Sequence, residues 1–135
     1  MLRKITDANL EKRILFLGKK PFEDLPKLFQ GMSVVAALSR NEGYGLTPLE
    51  GMASGAAVLT SSEGVWDELV RDGIDGYVVK TNDVLQTSER LNTLIENSSK
   101  TKIMGENAAK YISENFSVEK EAEKIIQHIR YVQNI

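Results

Sequence analysis

The stretch from Ser39 to Ser61 constrains this chain more than any other. It carries two carboxylates, Glu42 and Glu50, with seven residues between them. A glycine-bracketed turn, Gly43-Tyr44-Gly45, follows the first, and Thr47-Pro48 opens a short helical segment that contains the second. The apolar run Val34–Leu38 leads in, and Ala56-Ala57-Val58-Leu59 leads out. The order reads as strand, glycine-rich loop, helix, strand, a unit that belongs in an α/β fold with a parallel sheet.

The chemistry available to that unit follows from residue type. Gly43 and Gly45 lack side chains, so a ligand can approach the backbone and a positive φ is allowed. Thr47 is a suitable N-cap and Pro48 suits the first helical position. Unpaired N–H groups at a helix start, with roughly half a positive charge, favour an anion such as phosphate. Carboxylates beside it can accept hydrogen bonds from sugar hydroxyls. An anion plus a polyol points to a nucleotide or a sugar phosphate. The same residues also admit a purely structural reading: Thr47-x-x-Glu50 fits a capping box, and Glu42 fits a solvated loop carboxylate.

The remaining chain supports the α/β reading. Arg13-Ile14-Leu15-Phe16-Leu17-Gly18 has the length and composition of a buried parallel strand. A helix is expected over 23–30, with Leu25, Leu28 and Phe29 on one face, Pro26 in its first turn and Gly31 as its stop. Strands are expected at Val34–Leu38, Ala57–Thr60 and Tyr77–Val79, with a helix over Pro48–Ser54 and another over Val65–Arg71. Residues 1–12 read as a frayed helix end or linker. The last third is helical: Val84, Leu91, Leu94 and Ile95 mark one helix, and Ile103, Asn107, Ala108 and Tyr111 a second. Val118, Ala122, Ile125, Ile129 and Val132 draw an apolar stripe along a third.

The motif as it stands, Ser39-Arg40-Asn41-Glu42-Gly43-Tyr44-Gly45-Leu46-Thr47-Pro48-Leu49-Glu50-Gly51-Met52-Ala53-Ser54-Gly55, closely resembles the Glu-x7-Glu signature of retaining glycosyltransferases of the GT-B fold (glycosyltransferase family 4, group 1). Gly51 stands where that family usually has Ala, and Ser54 where Cys or Ala is common. Arg13–Gly18 resembles the family's strand ending in Phe-Leu-Gly, and Ile74-Asp75-Gly76-Tyr77-Val78-Val79 its later Gly-containing strand. The tail, Asn115-Phe116-Ser117 with Glu119-Lys120-Glu121-Ala122, is similar to its closing helices. The resemblance implies a Rossmann-like parallel sheet with a helical C-terminal tail, the nucleotide-sugar-binding C-terminal half of such an enzyme, over residues 1–135. It implies that Glu42 contacts the donor sugar in catalysis and that Glu50 holds the ribose hydroxyls. Backbone amides around Gly43, Tyr44, Gly45, Leu46 and Thr47 would lie against sugar and diphosphate, and the Gly18-Lys19-Lys20 loop, Lys20 in particular, would face the base. Neither a metal nor another cofactor is implied.

The nearest flavour is a lipopolysaccharide-core mannosyltransferase, which implies GDP-mannose or another nucleotide hexose as donor and a glycan or lipid-linked acceptor. The family's acceptor domain and its Arg/Lys pair for the leaving diphosphate have no counterpart ahead of Arg13. A fragment that binds nucleotide weakly and transfers little by itself is therefore expected, since leaving-group stabilisation is worth a few kcal/mol per donor group. The alternative is a non-catalytic nucleotide-sugar-binding module acting with a separate partner chain. A flavodoxin-like signalling domain is disfavoured, because no acidic pocket follows the first strand.

Composition closes off other classes. Seventeen basic against 19 acidic residues give a net charge of −2, which offers no field for nucleic acid. There is no cysteine for disulfide or thiolate chemistry. Apolar runs of about five residues fall far short of the roughly 20 that span a bilayer, and Met1-Leu2-Arg3-Lys4 has no signal-peptide core. The expected location is the cytoplasm, with peripheral contact at the inner membrane where a lipid-linked acceptor lies. His128, the only histidine, is expected on the surface, Trp66 in the core rather than as a sugar platform, and Glu68 as a solvated carboxylate. Lys120, Lys124 and Arg130, with acids around them, are expected to form a solvated face.

Overall fold

Three parallel strands form the centre of the molecule in a computed structural model that describes residues 10–133. They are β1 (Val34–Ala37), β2 (Ala57–Ser61) and β3 (Gly76–Val79), in the order β1-β2-β3. Val35 stands opposite Val58, and Leu59 opposite Tyr77. All five residues of the middle strand are buried, as a strand covered on both faces requires.

The helices are α1 (Leu25–Gln30), α2 (Thr47–Ala53), α3 (Trp66–Leu69), α4 (Val84–Glu96), α5 (Ser98–Asn115) and α6 (Val118–Gln133). Side-chain alternation along the strands makes two cores. Val35 and Val58 pack with Met52 of α2, Trp66, Val70 and Ala108 of α5 on one face. Ala57, Leu59, Tyr77 and Val79 pack with Leu94 of α4 and Met104 of α5 on the other. Trp66 is thus a core residue, as expected, while Glu68 and His128 are exposed.

The turn into β3 is clamped by an ion pair. Asp75 is fully buried and accepts from Arg71 Nε at 2.7 Å and Nη2 at 2.6 Å. That hydrogen bonding holds Arg71 protonated above its ordinary range. The guanidinium also lies over the Tyr111 ring, 4.5 Å from its centroid, which ties α5 to the turn.

The structure corrects two expectations. Arg13–Gly18 is not a strand: Glu11–Arg13 is a 3₁₀ turn, and Leu15 and Phe16 are 81% and 53% exposed. A strand is stable only against neighbours, and β1 is the edge of a three-stranded sheet to which this run does not pair. Thr47 is not the N-cap of α2: Leu46 occupies the cap in an αR conformation, Thr47 is already helical, and no side chain caps the first turn. The capping box therefore does not form, because it needs its Thr in the extended cap position. The third C-terminal helix forms as expected, as α6, and none of its residues is buried among the described residues: Ile125 and Ile129 are 59% and 50% exposed. Lys124 on its polar side pairs with Glu121 at 2.7 Å.

Elsewhere the elements lie within a few residues of expectation. The helix expected over 23–30 begins with a 3₁₀ turn at Phe22–Asp24 before α1. The expected helix over Val65–Arg71 is one turn long. Of the frayed start expected over 1–12, residues 1–9 lie outside the described residues.

Candidate functional site

The loop from β1 to α2 leaves the carboxyl end of the sheet, where parallel α/β folds bind ligands. It is held from two sides. Ser61 Oγ, at the end of β2, donates to the Ser39 carbonyl at 2.6 Å, and Ser39 Oγ donates to Glu42 Oε2 at 2.9 Å. The next loop closes from above. A Cβ on Gly64 would stand 2.5 Å from the Gly43 carbonyl oxygen, so only glycine lets the two loops touch there.

Glu42 folds back over its own loop. A Cβ on Gly45, which sits at φ 50°, would lie 2.8 Å from Glu42 Cδ. Gly45 is therefore fixed twice, by its left-handed backbone and by the carboxylate above it. Among the described residues Glu42 accepts only from Ser39, which leaves Oε1 available to a ligand hydroxyl. Tyr44, Leu46 and Thr47 are exposed around it.

Glu50 lies on the first turn of α2. Its N–H donates to the Leu46 carbonyl at 2.9 Å, while its partly buried carboxylate has no hydrogen-bond partner among the described residues. It stands at the wall of a cavity of about 260 Å³ between α1 and α2, lined otherwise by Phe22, Leu25, Pro26, Phe29, Ala53 and Ser54. An apolar slot with one free carboxylate suits a ligand with a flat ring at one end and hydroxyls at the other. Gly51 seats α2 on the sheet, since a Cβ there would approach Val35 to 2.9 Å.

Glu42, Gly43 and Gly45 are thus brought together under the Gly64 loop, and Glu50 faces the slot one helical turn on. Lys20 is exposed and does not line that slot, which Phe22 two residues later does. Sequence reasoning missed the slot's aromatic wall and the Ser39–Ser61 clamp. Phe22 and Phe29 could have been noticed as the pair flanking Leu25-Pro26. The clamp depends on β1 lying beside β2, which no local pattern reports.

Among the described residues no three His, Asp or Glu side chains are grouped to hold a metal ion, and no helix is long and apolar enough to cross a membrane.

Comparison with known proteins gives a consistent picture. The family model for glycosyl transferases group 1 matches residues 1–111. The lipopolysaccharide core biosynthesis mannosyltransferase LpcC of Rhizobium leguminosarum bv. viciae is 39% identical over 121 residues, 90% of this chain and 34% of that protein. The corresponding LpsB of Rhizobium meliloti is 30% identical over 90% of this chain and 35% of its own length. Among solved structures, Anabaena Alr3699/HepE in complex with UDP superposes with a TM-score of 0.87 at 29% identity, covering 96% of this chain and 35% of that one. The C-terminal domain of LpcC from Francisella tularensis gives 0.80 at 29% identity, over 87% of this chain and 60% of that one. The chain spans about a third of the length of the two mannosyltransferases. Its sheet and flanking helices have the architecture of a GT-B C-terminal domain. It belongs to the group 1 glycosyl transferases.

Proposed function

We propose that this chain is the donor-binding part of a retaining hexosyltransferase that uses a nucleotide sugar, GDP-mannose or another nucleotide hexose. The observation that carries the reading is the Glu50 carboxylate, without a hydrogen-bond partner among the described residues, at the wall of the apolar slot and one helical turn from the Glu42 loop. The base fits the slot beside Phe22 and Phe29, and the ribose hydroxyls meet Glu50. The amides of Gly43 to Thr47 face the diphosphate, and Glu42 takes the sugar. Relatives named as mannosyltransferases and a neighbour crystallised with UDP support this order of parts. The loop amides supply the positive potential a diphosphate needs, so the reading calls for no metal, and chelator should leave nucleotide affinity unchanged. The acceptor, a glycan or a lipopolysaccharide-core sugar, meets the donor with the help of the rest of the longer protein, in the cytoplasm at the inner membrane surface.

The test is titration of this chain with UDP, GDP and ADP by ligand-observed NMR, repeated on Glu50→Ala. The nucleotide that binds should lose about tenfold or more in affinity, the scale of hydrogen bonds to a charged group. Equal affinity for variant and parent would remove Glu50 from the site and the reading with it.

A further inference from the structure

Among the described residues the Glu42 carboxylate is held by neutral groups alone. Ser39 Oγ donates to its Oε2 at 2.9 Å, and no cation pairs with it. Arg40, in the same loop, is exposed and forms no ion pair among those residues either. The hold continues inward. The Ser39 carbonyl accepts from Ser61 Oγ at 2.6 Å, and Ser61 ends the middle strand, whose five residues are all buried. Below the carboxylate lies Gly45, where an added Cβ would stand 2.8 Å from Glu42 Cδ. Above the backbone lies Gly64, where a Cβ would stand 2.9 Å from the Glu42 carbonyl oxygen. One carboxylate oxygen, the carboxyl carbon and the main chain of Glu42 thus each have a fixed contact. Oε1 is the atom left to a ligand.

The kind of contact matters as much as its presence. A glutamate side chain left to itself samples many rotamers. A charge serves a transition state best when it is already in place and nothing has to reorganise around it. A guanidinium or ammonium on Oε2 would also fix the carboxylate, but it would offset the negative charge that a sugar with developing positive charge requires. A hydroxyl fixes the same oxygen and leaves the group its full charge.

We infer that Ser39 is a positioning residue for the transfer: its hydroxyl, anchored through Ser61 to β2, aims the Glu42 carboxylate at the donor sugar. The inference rests on the reading above in which Glu42 takes the sugar. The same bond in a purely structural role would brace the loop, and the two roles differ in what their loss costs. A brace matters whichever side chain stands at position 42, and its loss would disturb the amides of Gly43 to Thr47 with the rest of the loop. An aiming bond is worth something only while there is a charge to aim.

The experiment is a double-mutant cycle of Ser39→Ala and Glu42→Gln in a full-length protein that carries this segment. The probes are GDP-mannose, UDP-glucose and ADP-glucose, and release of the nucleoside diphosphate is followed, with water taking the sugar where no acceptor is added. Ser39→Ala should lower kcat by about tenfold or more, the scale on which a misplaced group loses rate. Affinity for the nucleoside diphosphate should stay within about twofold, because the loss lies in the transition state. On the Glu42→Gln background the same substitution should change kcat by less than about threefold. Ser39 is half-buried and its hydroxyl bonds only Glu42 among the described residues, so the variant should fold, and an unchanged circular dichroism spectrum verifies that. An equal loss on both backgrounds, or a loss of nucleotide affinity along with kcat, would make Ser39 a brace and overturn the inference. Ser39→Ala at parental kcat, where Glu42→Gln is slow, would overturn it alone and leave the donor reading intact. Glu42→Gln at parental kcat would remove Glu42 from the sugar and Ser39 with it, while weaker nucleotide binding by Glu50→Ala would still keep the slot. A parent that binds nucleotide yet releases none from any of the three sugars would overturn the transfer reading and this inference together.

Discussion

Replacing Gly105 by alanine is expected to cost about 3 kcal/mol or more and to broaden or abolish cooperative unfolding. Propensity alone predicts the reverse, because alanine is better than glycine in a helix interior by about 1 kcal/mol. The packing decides the sign. A Cβ on Gly105 would lie 2.0 Å from the Gly55 carbonyl oxygen and 3.2 Å from the Ala56 carbonyl carbon. Ordinary contact begins near 3.5 Å, so α5 would have to retreat by roughly 1.5 Å. Its neighbours on α5, Thr101, Met104 and Ala108, are buried, and Met104 and Ala108 reach both cores. The obstacle is backbone, which cannot rotate away. A loss of this size is a large part of the stability of a domain of this length. Urea denaturation followed by circular dichroism measures it, with Gly43→Ala as control. Gly43 has nothing within 4 Å of its would-be Cβ and should stay within about 0.5 kcal/mol of the parent. If Gly105→Ala matches that control, the close approach of α5 to the end of α2 is wrong.

Gly105 also shows where the sequence stops being readable. Inside a helical pattern a glycine registers only as a weak spot. Its contact is with Gly55, fifty residues away, and only the fold makes that contact exist. The segments that read correctly carry their own punctuation. The β1 and β2 runs are bracketed by polar residues or glycine, and α2 lies between Pro48 and Gly55. Arg13–Gly18 has the same signature, yet it joins none of the three strands: an apolar run states that a strand could form and says nothing about its neighbour. Thr47 failed for the opposite reason. Several residues can cap a helix, and the choice fell one position earlier, on Leu46, whose side chain offers no cap.

The candidate site divides in the same way. Glu42, Gly45 and Glu50 were legible because their spacing is local and their chemistry lies in the residues themselves. The wall of the Glu50 slot comes from Phe22 in the 3₁₀ turn and Leu25 and Phe29 on α1, with Phe29 packed against the core that holds Val35 and Met52. The clamp of Ser61 on Ser39 joins the ends of β1 and β2, and no spacing rule joins residues 22 positions apart. The exposed apolar side chains of the α6 stripe obey their helical period without disclosing what faces them.

Glu42→Gln is expected to lower kcat by about two to three orders of magnitude in a full-length protein that carries this segment, with nucleotide affinity within about twofold. The substitution keeps size and shape, and the Ser39 hydroxyl, now 2.9 Å from Glu42 Oε2, can donate to the glutamine oxygen instead. The loop over Gly45 should therefore stay as it is, and the negative charge is what disappears. Hexosyl transfer develops positive charge on the sugar as the bond to the leaving group breaks. A fixed carboxylate at that sugar favours the charged transition state over the neutral ground state, and electrostatic terms of this kind are worth about 10²–10³ in rate. Because the gain exists only in the transition state, it should appear in kcat and leave nucleotide binding alone. Glu50→Ala should do the reverse, weakening the nucleotide and moving kcat less. The pair separates the two carboxylates. Steady-state kinetics with the nucleotide sugar that binds, beside nucleotide titration of the 135-residue chain, reads both. A fall in kcat of less than about threefold for Glu42→Gln would leave Glu42 with only its bond to Ser39, a brace for the loop. The search for the group that faces the reacting sugar would then pass to the exposed loop residues around it.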